Sequence, residues 1–307
     1  MAIDLSAQEL LPFEESATKR KGYKDVTGRI ILKPKYDNAK SFSEGLAAVK
    51  MNGGWGFIDS TGKVIIPLIY DTVGYFSEGL AALNMIGKWG FINKNGKIVI
   101  PAKYNTIGYF DKGLAAVSVK GKWGFIDSKG QPVISIKYDS VENFSEGLAG
   151  VKIKNRWGFI NKKEELIIPI NLDYDIIRPF SEGFADVKKK GKWGYIDFTG
   201  KEIIPVKYEG AYRFLDGVAS VYNKGKWGYI DQTGKEIVPL KYDQILDYSE
   251  GLAAVEIDGK WGFVDKNGSV LISHQYDDVF EVFKNGVAEV GLQGETFNIN
   301  NKGEKIK

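Results

Sequence analysis

The sequence has no cysteine, a single histidine (His274) and only 9 prolines against 37 glycines. Without cysteine there is no disulfide staple, no zinc–thiolate centre and no cysteine nucleophile. A lone histidine has no second imidazole to share a metal. No Gly-x-Ser-x-Gly elbow accompanies it, and no Gly-x-x-x-x-Gly-Lys-Ser/Thr phosphate loop occurs. We therefore expect no catalytic residues, no metal site, no cofactor and no enzyme activity. No apolar run approaches the roughly 18 residues of a membrane span. Residues 1–13 lack the basic stretch and apolar run of a signal peptide, so the reading leans towards the cytoplasm. Neither sign of charge dominates: 42 basic and 39 acidic side chains leave a net charge of +3. That balance argues against a nucleic-acid partner. The run Lys188, Lys189, Lys190 and Lys192 reads as a solvated loop.

What is present is aromatic and periodic. All seven tryptophans, Trp55, Trp89, Trp123, Trp157, Trp193, Trp227 and Trp261, precede a glycine and fall 34 residues apart, except for one gap of 36. A fixed period in this range marks a repeat architecture. Other positions keep the same register. A turn glycine follows each tryptophan by seven residues, except that Glu164 stands in the fourth copy. Next comes a proline (Pro67, Pro101, Pro169, Pro205, Pro239), replaced by Ser135 and Ser273, and then a tyrosine. Tyr174 of the fourth copy arrives two residues late. An aromatic-x-acid-Gly string follows, as in Phe180-Ser181-Glu182-Gly183. Degraded copies flank the seven, with Lys21 and Thr296 at the tryptophan position, as expected of caps.

Strings such as Gly121-Lys122-Trp123-Gly124-Phe125-Ile126-Asp127 and Tyr248-Ser249-Glu250-Gly251 resemble the WG (KWG) repeat family of bacterial proteins, over roughly residues 9 to 307. The resemblance implies a repeat scaffold and carries over no catalytic residue.

Within one copy, Leu80–Leu83, Lys88–Asn93 and Lys97–Ile100 read as three antiparallel strands, the last stopped by Pro101, which cannot donate to a ladder. Residues 102–113 read as an irregular linker with one helical turn. The fold class is all-β: about eight three-stranded meanders in tandem, stacked because one alone buries too little. Three strands and 34 residues favour an open solenoid over a closed propeller-like ring, whose blades usually have four strands and about 40 residues. Residues 1–8 form a tail, and 9–307 a single array.

The seven tryptophans sit at one position of every copy, so the simplest role is interlocking core rather than a ligand ladder. The glycine after each leaves room for a neighbouring backbone or ring. The acid or amide closing the tryptophan strand (Asp59, Asn93, Asp127) reads as turn-forming, because Ca²⁺ needs about six to eight oxygens and no EF-hand string occurs. The glutamates of the aromatic-x-acid-Gly strings suit a loop or capping role. Candidate binding residues are of two kinds. Lys88, Lys122, Arg156, Lys192, Lys226 and Lys260, each before a tryptophan, would form a basic stripe. Arg178, Tyr212, Arg213 and Tyr222, with Glu164–Glu165, Asn171–Leu172 and Phe280, are positions where copies differ, as a binding face of an array does. The function expected is a scaffold that binds another macromolecule, a protein first, with a glycan or cell-surface module using exposed aromatics as the alternative. The irregular fourth copy suggests a bend or a contact.

Overall fold

The structure, a computed structural model, describes residues 10–306, so the expected tail 1–8 and the first residue of the array lie outside it. Among the described residues every regular element is a strand, arranged in nine small antiparallel sheets. The chain divides into two compact units, 1–141 with 162–164 and 142–161 with 165–307.

One sheet of the first unit shows the pattern. Thr106–Ile107, Leu114–Val119, Lys122–Asp127 and Pro132–Tyr138 lie side by side in chain order. The sheets therefore hold four strands, not the expected three; among the described residues only the first, Leu11–Glu14, Lys21–Lys24 and Ile30–Tyr36, has three. The added strand lies in the stretch read as a linker, where Thr106 pairs with Ser118 and Ile107 with Val117, and no helical turn forms. The aromatic-x-acid-Gly string is what makes this possible. Its last two residues both take positive φ, 52° at Glu78 and 80° at Gly79, which is a two-residue type I′ hairpin turn joining first and second strands. A second such turn, Ile86-Gly87, joins the next pair.

The last strand, read from the sequence as the third, is not stopped by its proline. It runs Ile98–Tyr104, with Trp89 opposite Tyr104 and Phe91 opposite Ile100. Between these pairs Gly90 alone faces Pro101, Ala102 and Lys103, so the strand bulges at Pro101, whose missing N–H has no ladder partner to lose. The bulge explains the glycine. A Cβ on Gly90 would lie 2.4 Å from the Ile100 carbonyl oxygen and 2.7 Å from the Ala102 nitrogen. The glycine thus makes room for its own sheet's backbone, rather than for the next copy.

The aromatics join one sheet to the next. Phe91, Ile100, Tyr104 and the partly buried Trp89 pack against Phe110, Ala115, Val117 and Ile126 of the following sheet. Phe91 and Phe110 meet at 4.7 Å between ring centres. The second unit repeats this, with Tyr195 and Phe214 at 5.0 Å. Each fully buried ring of this kind contributes roughly 1.5–3 kcal/mol, which a lone four-stranded sheet could not collect.

Candidate functional site

A hydrogen-bonded frame surrounds the core. Ser43 and Ser77 donate to the carbonyl oxygens of Phe76 and Phe110 one copy on, both at 2.7 Å. The Glu78 carboxylate accepts from Gly113 N–H at 2.9 Å. In the second unit Glu182 accepts from Asp216 and Gly217 at 2.7 and 2.8 Å, and Glu250 from Asn285 and Gly286 at 2.6 and 2.8 Å. These glutamates clasp the next copy's turn. The Asp59 carboxylate likewise takes the N–H groups of Thr61 and Lys63 and the Thr61 hydroxyl, closing its own turn. Among the described residues no cluster of His, Cys, Asp and Glu could hold a metal ion. His274 lies against the Tyr242 ring, and burial lowers its pKa.

The basic residues before the tryptophans lie within this frame too. Lys122, Arg156, Lys192, Lys226 and Lys260 pair with Asp139, Asp173, Glu209, Asp243 and Asp277. Several of these acids also cap the following hairpin: Glu209 takes Lys224 N–H at 3.1 Å and Asp243 takes Asp258 N–H at 3.0 Å. The stripe is thus largely neutralised. Lys88 is the exception among the described residues, because Asn105 stands where the others have an acid. No described helix is long and apolar enough to cross a membrane.

The fourth copy's irregularity is a pair of contacts. Glu164 replaces the turn glycine and reaches Ser135, accepting from its N–H at 3.1 Å and its hydroxyl at 2.8 Å. Where other copies have proline, Ser135 exposes an N–H, and Glu164 satisfies it. The insertion falls after Leu172, which takes the tyrosine's place opposite Trp157. Two acids then share one acid's work: Asp173 pairs with Arg156, while Asp175 takes Lys190 N–H at 2.7 Å.

Over this constant frame lies a variable row. Fifteen residues before each tryptophan stand Lys40, Gly74 and Gly108 in the first unit, and Glu142, Arg178, Tyr212 and Leu246 in the second. Three of these side chains cover the indoles: Lys40 Nζ lies 5.2 Å from the Trp55 ring centre, Arg178 Cζ 4.2 Å from that of Trp193, and the Tyr212 ring 5.7 Å from Trp227. Trp55, Trp157, Trp193 and Trp261 are buried, whereas Trp89, Trp123 and Trp227 are half-buried. Gly74 offers no side chain to cover Trp89, and a recess of about 680 Å³ opens there, walled also by Lys40, Tyr75, Gly108 and Tyr109.

In the second unit the row builds a cavity of about 360 Å³ with a mixed polar and apolar lining, which brings together three of the sequence-chosen residues, Arg178, Tyr212 and Arg213. The fourth, Tyr222, packs on Trp227 at 4.9 Å beside it. Sequence reasoning missed the cavity's central acid, Asp186, whose side chain is 1% exposed. Its equivalents are Ala48, Ala82, Ala116, Gly150, Ser220 and Ala254, so aligning the copies on this strand would have exposed it. Arg178 donates to Asp186 Oδ2 at 2.9 Å and to the Ala211 carbonyl at 3.2 Å, while Asp186 Oδ1 has no partner. Burial pushes the Asp186 carboxyl up, against the pull of Arg178. Burial also raises Glu142, with Arg178 opposing and Asp186 adding to the shift.

No curated protein matches the chain. Among solved structures it is similar to a eukaryotic initiation factor, at 13% identity and a TM-score of 0.60, covering 98% of this chain and 95% of that one. At that identity the likeness speaks to fold alone. It is also similar to Kluyveromyces lactis Hsv2 (9% identity, TM-score 0.41, 86% and 96% covered) and to the dihydro-heme d1 dehydrogenase NirN (14%, 0.43, 98% and 72%), at scores too low to speak to the fold. The family described as WG containing repeat matches residues 22–55, 55–89, 89–123, 123–157, 157–193, 193–227, 227–261 and 261–294 in unbroken succession. The chain therefore belongs to the WG-repeat family, eight tandem copies long.

Proposed function

We propose that the chain is a non-enzymatic repeat scaffold that binds another macromolecule, a protein, through its variable row. One observation carries this reading: the glycine-floored recess over Trp89 in the first unit. Gly108 needs no special backbone, and a Cβ there would find nothing nearer than 3.7 Å. With Gly74, which stands over Trp89, the bare Gly108 keeps the recess open between Tyr75 and Tyr109, which are 52% and 66% exposed. Exposed aromatics around an apolar recess are how protein interfaces anchor a partner's side chain. Capture from the native host tests it. Gly108→Phe, which plugs the recess, should abolish capture, and so should protease treatment of the lysate. Capture that survives both overturns the protein reading. Capture lost instead on periodate oxidation of the lysate shifts the partner to a glycan.

For the form of the array we keep the open stack, on the ground that the first and last copies have lost the tryptophan, as capping copies do. The four-stranded sheets no longer count against a ring. Small-angle scattering decides: a ring holds the radius of gyration near the roughly 19 Å of a compact chain of this length, and a value near it overturns the open stack.

A further inference from the structure

We infer that the Asp186 cavity of the second unit is a saccharide subsite, taking a neutral polyhydroxylated ring. It does not rest on the protein reading, which stands on the recess of the other unit.

The charges lining the cavity select the ligand. Arg178 and Arg213 face Asp186 and Asp247, two of each sign, with Ser145 and Tyr212 adding hydroxyls. An anion would meet both aspartates and the nearby Glu142. A cation would meet Arg213, and Arg178 held 2.9 Å from Asp186 Oδ2. A neutral group that both donates and accepts meets no such opposition, and vicinal hydroxyls are such a group. Asp186 Oδ1 supplies the second, independent sign. It is a carboxylate oxygen without a hydrogen-bond partner, on a fully buried side chain of the cavity's lining. Buried oxygens of this kind require a donor, and a sugar hydroxyl provides one without adding charge beside two arginines.

The cavity also has a flat apolar wall. The Tyr212 ring lies 26° from parallel with Trp227, which holds it in place, and it remains 56% exposed. A pyranose presents an apolar C–H face to such a ring and its hydroxyls to the polar rim. At about 360 Å³ the space is in the range of small-ligand sites. A second cavity of about 380 Å³ adjoins it, sharing Tyr212 and Asp247 and reaching Trp227 and Gln244. Two subsites on one tyrosine suit a ligand of at least two linked rings. Free oligosaccharides and glycans carried on a protein share this chemistry.

The test uses the full chain and calorimetric titration with glucose, galactose, mannose and N-acetylglucosamine and their 1,4-linked di- and trisaccharides. Saturable binding of at least one is expected, with the disaccharide tighter than its monosaccharide. Asp186→Ser, which copies the residue at the equivalent position 220, and Tyr212→Ala should each weaken binding about tenfold or more. Gly108→Phe, in the other unit, should leave it unchanged. Circular dichroism confirms that each variant is folded; if Asp186→Ser is not, Tyr212→Ala carries the comparison. No binding of any of these sugars at tens of millimolar overturns the inference, as does binding that the folded variants leave intact. A glycoprotein arm separates the sources: binding there that persists after periodate oxidation of its sugars counts against a saccharide site.

Discussion

A methyl group added at position 90 would sit 2.4 Å from a carbonyl oxygen; one added at position 108 would find nothing nearer than 3.7 Å. Both residues are glycine, and only the first is demanded by the fold. Gly90→Ala should therefore cost about 1–3 kcal/mol or more, by forcing the Pro101 bulge outwards, whereas Gly108→Ala should be neutral or gain about 0.4–1 kcal/mol. Denaturant unfolding of the two variants checks this, and equal effects would refute it. The repeat made Gly90 legible, because a glycine in every copy answers a need of every copy. Gly108 was legible only as a lapse, where the other units carry Lys40 or Arg178. Asp186 is a lapse of the opposite kind, a charge on a strand position that the other tryptophan-bearing copies fill with alanine, glycine or serine. Burial holds its carboxyl above the usual range, so ionisation costs the folded state at neutral pH, and the cost is relieved as pH falls through the raised value. The stability of Asp186→Ala relative to wild type should consequently be higher at neutral pH than in acid. Melting wild type and variant across pH tests the sign.

At the scale of the element, the turns carry more of the structure than their sequences announce. Glu182 sits at φ 52°, where glycine would be at ease, yet the position keeps a glutamate. Its carboxylate explains this, since it holds two N–H groups of a turn 34 and 35 residues away. Glu182→Gly should relieve the backbone and still lower stability by about 1 kcal/mol, because two charge-assisted bonds are lost. A variant that melts at or above the wild type would show that the clasp does not matter. The partner's distance is also why Phe-Ser-Glu-Gly read as a loop with a capping role but not as a link between copies. The first strand was missed for a similar reason. In most sheets it has two residues, such as Thr106–Ile107, too few for any alternation of apolar and polar side chains to register.

For the whole molecule, the period itself was legible from seven tryptophans, because each packs by the same rule and tolerates no drift. What the period hides is that the basic residues before those tryptophans come with their own counter-charges, found 17 residues on: Lys192 with Glu209, Lys226 with Asp243, Lys260 with Asp277. The resulting electrostatics have a definite pH signature. The Lys226 ammonium holds the Asp243 carboxyl below its ordinary range, Lys260 does the same for Asp277, Lys192 for Glu209 and Lys94 for Glu44, while the Thr233 hydroxyl lowers Asp231. A lowered carboxyl contributes stability that is complete above its unfolded pKa and is lost as pH falls through the folded value. Since the same caps recur copy after copy, their losses add along the array, and thermal stability should hold from neutral pH down to about 4–5 and then fall steeply below the ordinary carboxylate range. Salt separates the two contributions within each cap. The exposed ion pairs are worth little and are screened, whereas the bonds to turn N–H groups need an ionised acceptor but no counter-charge. Molar sodium chloride at pH 7 should therefore shift the melting temperature far less than acid at low ionic strength; an equal loss in salt would mean that the ion pairs, and not the capped turns, hold the copies together.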